Sequence, residues 1–366
     1  MGQFDSLICS LLRSSNAPWV EDNTAKFESL IERAAHHGVL SILHYLLSNE
    51  STWTDHTEYL QESLSDARKN AVAISLARER AVASLLAVLA NAEVTPLLIK
   101  GEALAHTHYP SPELRVRSDT DIFIAIPAIS RTIQALESDG FSVTHPRYKS
   151  HQFTAIKTLP GGVLFRVDVH WRISNEPAFA RLFSYEASFD RAVTANVAGR
   201  LCLVLHPVHA LILACMHLSV QPEERSDRLI WIYDIHLLVS RMSEDELLEM
   251  GEVASKKGVG GICLQAIQKS EVCIGTSIPK VVTEALQSTC GAGVYESGYG
   301  QSYLALILAD LRELPGLSQK WSLISELLFP GSEWLLNKYA KTHHTWVPIL
   351  YLRYLASGFF NRLLLR

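Results

Sequence analysis

Two aspartates, Asp119 and Asp121, stand on either side of Thr120 at the head of an apolar run in "RVRSDTDIFIAI". A third acid, Asp168, sits between two valines in "FRVDVHW". Side chains alternate between the two faces of an extended strand, so Asp119 and Asp121 share one face while Ile122, Ile124 and Ile126 take the other. By the same alternation Asp168 shares a face with Arg166 and His170, away from Val167 and Val169. Like charges on one face repel, and a charge among apolar neighbours is costly without a partner. A divalent cation removes both costs, and hard carboxylate oxygens suit Mg²⁺ or Mn²⁺. If the two strands lie side by side, the three carboxylates form a triad able to hold one or two metal ions at a nucleoside triphosphate. Asp168 is then the candidate general base for an attacking hydroxyl.

The surrounding polar residues extend this chemistry. Lys100 and Gly101 open a helix, whose first backbone N–H groups are free for phosphate, and Lys100 adds a cation. Arg117 lies on the Asp119 face, where it either clamps phosphate or pairs with the aspartates. Arg115 lies two residues before it. His170, two residues after Asp168, either contacts substrate or serves as a hydrogen-bonded structural histidine. Trp171 reads as core. His206, His209 and His217 lie in an apolar helical segment and read as core or cleft histidines rather than zinc ligands. His106 and His108 face differently on a helix and make a poor ligand pair. A D-x-D pair alone is common in caps and turns. What gives this one weight is Asp168 downstream and Lys100-Gly101 upstream.

The elements that must position these residues fall into three regions. Residues 1–93 read as helical, with an N-cap expected at Asp22 or Asn23, a stop at Gly38, and a long Gly- and Pro-free helix, or two abutting ones, over about 56–92. Residues 94–205 carry the strands. "VTPLLI" is a short buried strand and "DTDIFIAI" a second, followed by a helix between Pro127 and Gly140. "FSVTHPR" is a third strand, and "SHQFTAIKTLPGGVLFRVDVHWR" a hairpin turning at Pro160-Gly161-Gly162. Residues 206–366 are helical again, with "HPVHALILACMHLSV" and "SDRLIWIYDIHLLVSRM" strongly apolar. Later breaks fall near "GTSIP", "GAGVYESGYG", "ELPG" and "LFPGSE".

Composition sets the outer limits. The chain has 366 residues, 48% hydrophobic and 19% charged, with a net charge of −5 and a pI near 6.3. An acidic balance argues against nucleic acid as a partner. The six cysteines (Cys9, Cys202, Cys215, Cys263, Cys273 and Cys290) form no C-x-x-C pair and read as core thiols in a reducing, cytoplasmic compartment. The first residues lack the pattern of a secretory signal. Gly2 and Ser6 fit the loose myristoylation pattern, which is too short to carry weight. No run reaches the roughly 18 apolar residues of a membrane span. The apolar C-terminal stretch from Trp346, with its spaced arginines, reads as a helix docked on the core.

The string "LLIKGEALAHTHYPSPELRVRSDTDIFIAI", followed by "RVDVHWR", resembles the uncharacterised nucleotidyltransferase family of the polymerase-beta-like superfamily. "LHPVHALILACMHLSV", "RLIWIYDIHLLV" and "LLFPGSEWLLNKYA" extend the resemblance over most of the chain from about residue 95. It implies an α/β (α+β) nucleotidyltransferase core with a short mixed sheet, flanked by N-terminal and C-terminal helical regions. It also implies Asp119, Asp121 and Asp168 as metal ligands, with Gly101 in the phosphate loop. The wider superfamily follows that glycine with serine, whereas here Glu102 follows, leaving Lys100 to compensate. His217, Arg228, Trp231 and Asp234 also match the pattern, with Arg228 and Asp234 expected either as a buried pair or as cleft residues.

The expected activity is transfer of a nucleoside monophosphate from an NTP, ATP being the expected donor, to a hydroxyl or phosphate of a small-molecule, peptide or protein acceptor. Lys100, Gly101, Arg117 and His170 are the expected nucleotide-binding residues. The alternatives are D-x-D sugar transfer from a nucleotide sugar and a non-catalytic nucleotide-binding scaffold.

Overall fold

A computed structural model describes residues 3–13, 24–50, 53, 57–144, 151–174, 177–180, 182–219, 228–287, 311, 316–329 and 347–354. The expected cap at Asp22 or Asn23, the strand residues 145–147, Cys290, the break at 291–300, and the segments 330–346 and 355–366 lie outside these. Four helices come first: α1 (Gln3–Arg13), α2 (Thr24–His37), α3 (Leu40–Ser48) and α4 (Glu58–Asn91). The long Ala/Leu/Arg/Glu-rich segment forms one helix of 34 residues, α4, started by Thr57, whose side chain accepts from the Leu60 N–H.

The strands follow, interleaved with short helices: β1 (Leu97–Ile99), α5 (Lys100–Thr107), β2 (Thr120–Phe123), α6 (Ile129–Ser138), β3 (Ser142–Val143), β4 (Gln152–Thr158), β5 (Leu164–His170), α7 (Pro177–Ala180), α8 (Tyr185–Phe189), β6 (Val193–Val197) and β7 (Arg200–Val204). They form one seven-stranded mixed sheet in the order β3-β4-β5-β2-β1-β7-β6. The β2/β5 and β1/β7 pairs are parallel and the other neighbours antiparallel. The expected hairpin is β4–β5, with Gly161 and Gly162 at left-handed φ of 82° and 79° in its turn. The β6–β7 hairpin turns through Ala198 and Gly199.

The helical body beyond the sheet comprises α9 (Pro207–Ser219), α10 (Leu229–Arg241), α11 (Glu244–Lys256), α12 (Gly260–Ile274) and α13 (Lys280–Gln287). Two further helices, Leu317–Leu328 and Val347–Tyr354, come later in the chain. None of the described helices is long and apolar enough to cross a membrane.

Strand alternation divides the core in two. Leu97, Ile99 and Phe123 pack with the N-terminal helices and with α9 to α13 in one apolar cluster. Leu98, Ile122, Ile124, Phe165, Val167 and Val169 pack on the opposite side with the C-terminal half of α4. The central strands β1 and β2 are therefore buried on both faces, which their near-continuous apolar runs require.

Candidate active site

β2 and β5 run parallel with Asp121 directly opposite Asp168, and β1 places Ile99 opposite Asp121 on the other side. Cross-strand partners point the same way, so Asp121 and Asp168 stand side by side on the face that looks toward the helical body. Asp119 joins them from the turn before β2. Burial, with the negative charges of Asp121 and Asp168, raises its carboxyl above the usual range. Asp119 makes no side-chain hydrogen bond among the described residues.

Lys100 Nζ lies 2.7 Å from Asp121 Oδ1, and His170 Nε2 lies 2.8 Å from the same oxygen. Burial alone would raise the Asp121 carboxyl, but Lys100 and His170 hold it below the ordinary range. His170 is fully enclosed. Burial, with Lys100 nearby, lowers its basicity, so the ring is neutral and donates from Nε2 to Asp121. Its Nδ1 meets no hydrogen-bond partner among the described residues. Thr154, opposite Asp168 on β4, donates its hydroxyl to Asp168 Oδ1 at 2.7 Å. β5 brings Asp168 and His170 to the site, β2 brings Asp121, and the β1–α5 junction brings Lys100.

Lys100 itself adopts φ of 54°, a left-handed conformation rare for a residue with a side chain. β1 passes directly into α5 there, without a linker. Gly101 is needed for space: a Cβ on it would lie 3.2 Å from Arg115 Nη2. Arg115 is in turn fork-paired with Asp234 of α10 through Nε to Oδ1 at 2.8 Å and Nη2 to Oδ2 at 2.7 Å, and the Tyr109 hydroxyl donates to Asp234 Oδ1 at 2.7 Å. The partner of Asp234 is therefore Arg115 and not Arg228. Arg228 instead donates to the His36 carbonyl and lies over the Trp231 ring.

Glu102, which follows Gly101 on α5, is fully buried and central. Arg117 donates to both its oxygens, at 2.9 and 3.0 Å, and Arg78, Thr120 and His106 complete the surround at 3.3, 3.1 and 3.3 Å. Burial would raise the Glu102 carboxyl, but His106, Arg117 and Arg78 hold it well below the usual range. Arg117 therefore pairs with Glu102 rather than with the aspartates, and its Nη1 donates to the Pro112 and Arg115 carbonyls. Arg78, from α4, also donates to the Asp119 carbonyl at 2.6 Å and to the Thr120 hydroxyl, pinning the start of β2. Sequence reading missed Arg78, Thr154 and the part played by Glu102. An arginine within an Ala/Leu-rich helix was the one available signal.

The seven residues expected at the site (Lys100, Gly101, Arg117, Asp119, Asp121, Asp168 and His170) all line one cleft of about 610 Å³. Gln152 and Ser174 also border it, and His217, Trp231 and Ala214 line it from α9 and α10. Burial, with Lys100 nearby, lowers the His217 pKa to about 3, and the ring meets Trp231 edge-on. His209 stacks on Phe183, and His206 lies beside Arg191, so these histidines serve different neighbours. Trp171 packs against Phe153 beside the sheet core.

Three oxygen-bearing acids at one end of such a cleft have the donor chemistry for a hard divalent cation. As they stand, no three His, Cys, Asp or Glu side chains among the described residues converge closely enough to hold one.

The model of a family described as "Uncharacterised nucleotidyltransferase" matches residues 23–288 of the chain. Among solved structures, the chain is similar to the crystal structure of an antigenic nucleotidyltransferase-like protein from Paracoccidioides brasiliensis. The match has 16% identity and a TM-score of 0.36, covering 55% of this chain and 93% of that one. No curated protein matches the chain.

Proposed function

Because the chain belongs to the uncharacterised nucleotidyltransferase family, we propose that it transfers a nucleoside monophosphate from an NTP, ATP being the expected donor, with Mg²⁺ or Mn²⁺. The acceptor is a hydroxyl or phosphate on a small molecule, a peptide or a protein. Family membership supports nucleotidyl transfer in general. The observation that carries the finer reading is the register of Asp121 opposite Asp168, with Asp119 beside them.

In this reading Asp119, Asp121 and Asp168 hold the metal, which when bound neutralises triphosphate charge and makes an acceptor hydroxyl easier to deprotonate. Asp168, oriented by Thr154, takes the acceptor proton. Lys100 and the first backbone N–H groups of α5 meet the phosphates. His170 holds the Asp121 carboxylate in place. The α9 and α10 surface around His217 and Trp231 forms the far wall and selects the acceptor.

Incubation of the protein with labelled ATP, Mg²⁺ and candidate acceptors, read by intact mass, tests this. The expected result is a mass gain of one nucleoside monophosphate, reduced about a hundredfold or more in Asp119→Asn. Addition of a hexose from a nucleotide sugar instead would replace this reading with sugar transfer. Mg²⁺-dependent ATP binding that Asp119→Asn leaves unchanged would remove the acids from the site.

A further inference from the structure

The carboxylate most central to the site already has a cation. Lys100 Nζ sits 2.7 Å from Asp121 Oδ1, and the Lys100 side chain retains 22% exposure to the cleft while that of Asp121 is 9% exposed. The same oxygen takes the His170 Nε2 at 2.8 Å. The backbone at Lys100 is held left-handed, at φ 54°, between β1 and α5. Such a conformation persists only where its surroundings impose it, and it recurs at ligand clamps and active sites. The acids meanwhile are not gathered into a coordination shell among the described residues.

We infer that Lys100 is an internal counter-cation, which competes with the metal for Asp121 and is handed to the triphosphate when nucleotide enters. This rests on the metal-dependent reading above. A lysine ammonium bonds carboxylate and phosphate oxygens alike, and its four-carbon stem lets it move between them. While it stays on Asp121 the site discourages a bare metal ion. When a triphosphate draws it away, the carboxylate is released to the metal. By linkage the effect is reciprocal: nucleotide tightens metal through Lys100 by the same factor as metal tightens nucleotide. Lys100 is a positioning residue in this step, since it controls the availability of Asp121.

Mn²⁺ binding to the full chain, followed by electron paramagnetic resonance with and without a non-hydrolysable ATP analogue, tests the inference. The informative variant is Lys100→Gly, because glycine accepts the left-handed backbone and keeps the fold. It should bind Mn²⁺ alone about tenfold tighter than the wild type, the scale of one lost hydrogen bond to a charged group. Enhancement by the nucleotide should shrink by the same factor. Lys100→Arg, which keeps the cation, should behave as the wild type does. A Lys100→Gly protein with native circular dichroism and no gain in Mn²⁺ affinity overturns the inference. Asp121→Asn locates such a failure. If it abolishes Mn²⁺ binding, only the lysine role falls; if Mn²⁺ binding survives it, the acid-site reading falls too.

Discussion

Glu102 shows how a single side chain can define the site without facing the cleft chemistry. It is a fully buried carboxylate surrounded by Arg78, Arg117 and His106, and Thr120 donates to it as well. Two of these neighbours, Arg78 and Thr120, belong to the clamp on the first residues of β2, so Glu102 indirectly sets where Asp119 and Asp121 stand. Glu102→Gln leaves two buried guanidiniums with a neutral acceptor and should lower the unfolding free energy by about 3–5 kcal/mol, measured in urea. The pH dependence has a definite sign. The carboxyl titrates near 4.5 when unfolded and lower when folded. Its stabilisation is therefore complete above about pH 4.5 and is lost as pH falls from there toward the folded value. Urea titrations at pH 7 and pH 3.5 should show the wild type losing more stability than Glu102→Gln. Equal losses would mean that the carboxyl is not held as described. The acids Asp119, Asp121 and Asp168 were legible from spacing because alternation assigns a face. The environment of Glu102 was not, because its partners come from α4 and from the turn before β2, far apart in sequence.

The elements that carry the site were largely legible where punctuation was strong. The β4–β5 hairpin and the helix from Lys100 follow from Pro-Gly-Gly and from Lys-Gly after an apolar run, while the absence of breakers allowed one long helix or two abutting ones where the structure has the single helix α4. The β6–β7 hairpin went unread. "VTANVAGRLCLV" turns on Ala-Gly, a weak turn signal, and three of the five β6 residues are exposed. That hairpin extends the sheet by pairing β7 in parallel with β1, the strand that delivers Lys100. The end of α4 is a similar case. The Glu93 N–H bonds to the Ala90 carbonyl at 3.0 Å and the Val94 N–H to the Leu89 carbonyl at 2.9 Å, with Glu93 at φ 55°. This is a Schellman cap with an exposed glutamate in the position that favours glycine. Its ion pair with Arg131 is solvent-exposed and contributes little. Glu93→Gly should therefore raise stability by about 1 kcal/mol and increase the melting temperature. A lower melting temperature would show that the Glu93 side chain matters more than the backbone strain.

At the scale of the molecule, the cleft exists because the acid face of the sheet and the helical body share one core. Leu97, Ile99 and Phe123 belong to the same apolar cluster as residues of α1 and of α9 to α13. Within that cluster the charged joint is Arg115 on Asp234, with Tyr109 donating to the same carboxylate. It ties the loop before β2 to α10, and Arg115 also lies against Gly101 at the start of α5. The family resemblance pointed to Arg228 and Asp234, either as a buried pair or as cleft residues, and both do border the cleft. As the partner of Asp234 the fold chose Arg115, 119 residues away, because α10 packs across the loop. Breaking this joint from one side strands a buried charge, so Asp234→Leu and Arg115→Met should each cost about 3–5 kcal/mol. Replacing both removes the stranded charge and leaves an apolar contact of similar size. The double variant should then be more stable than either single variant by urea unfolding, a coupling that pairs in contact show and distant pairs do not. Simple addition of the two losses would show that the joint is not a pair. Recovery of stability without recovery of ATP binding would show that Arg115 also sets the geometry of the α5 start, through its contact with Gly101.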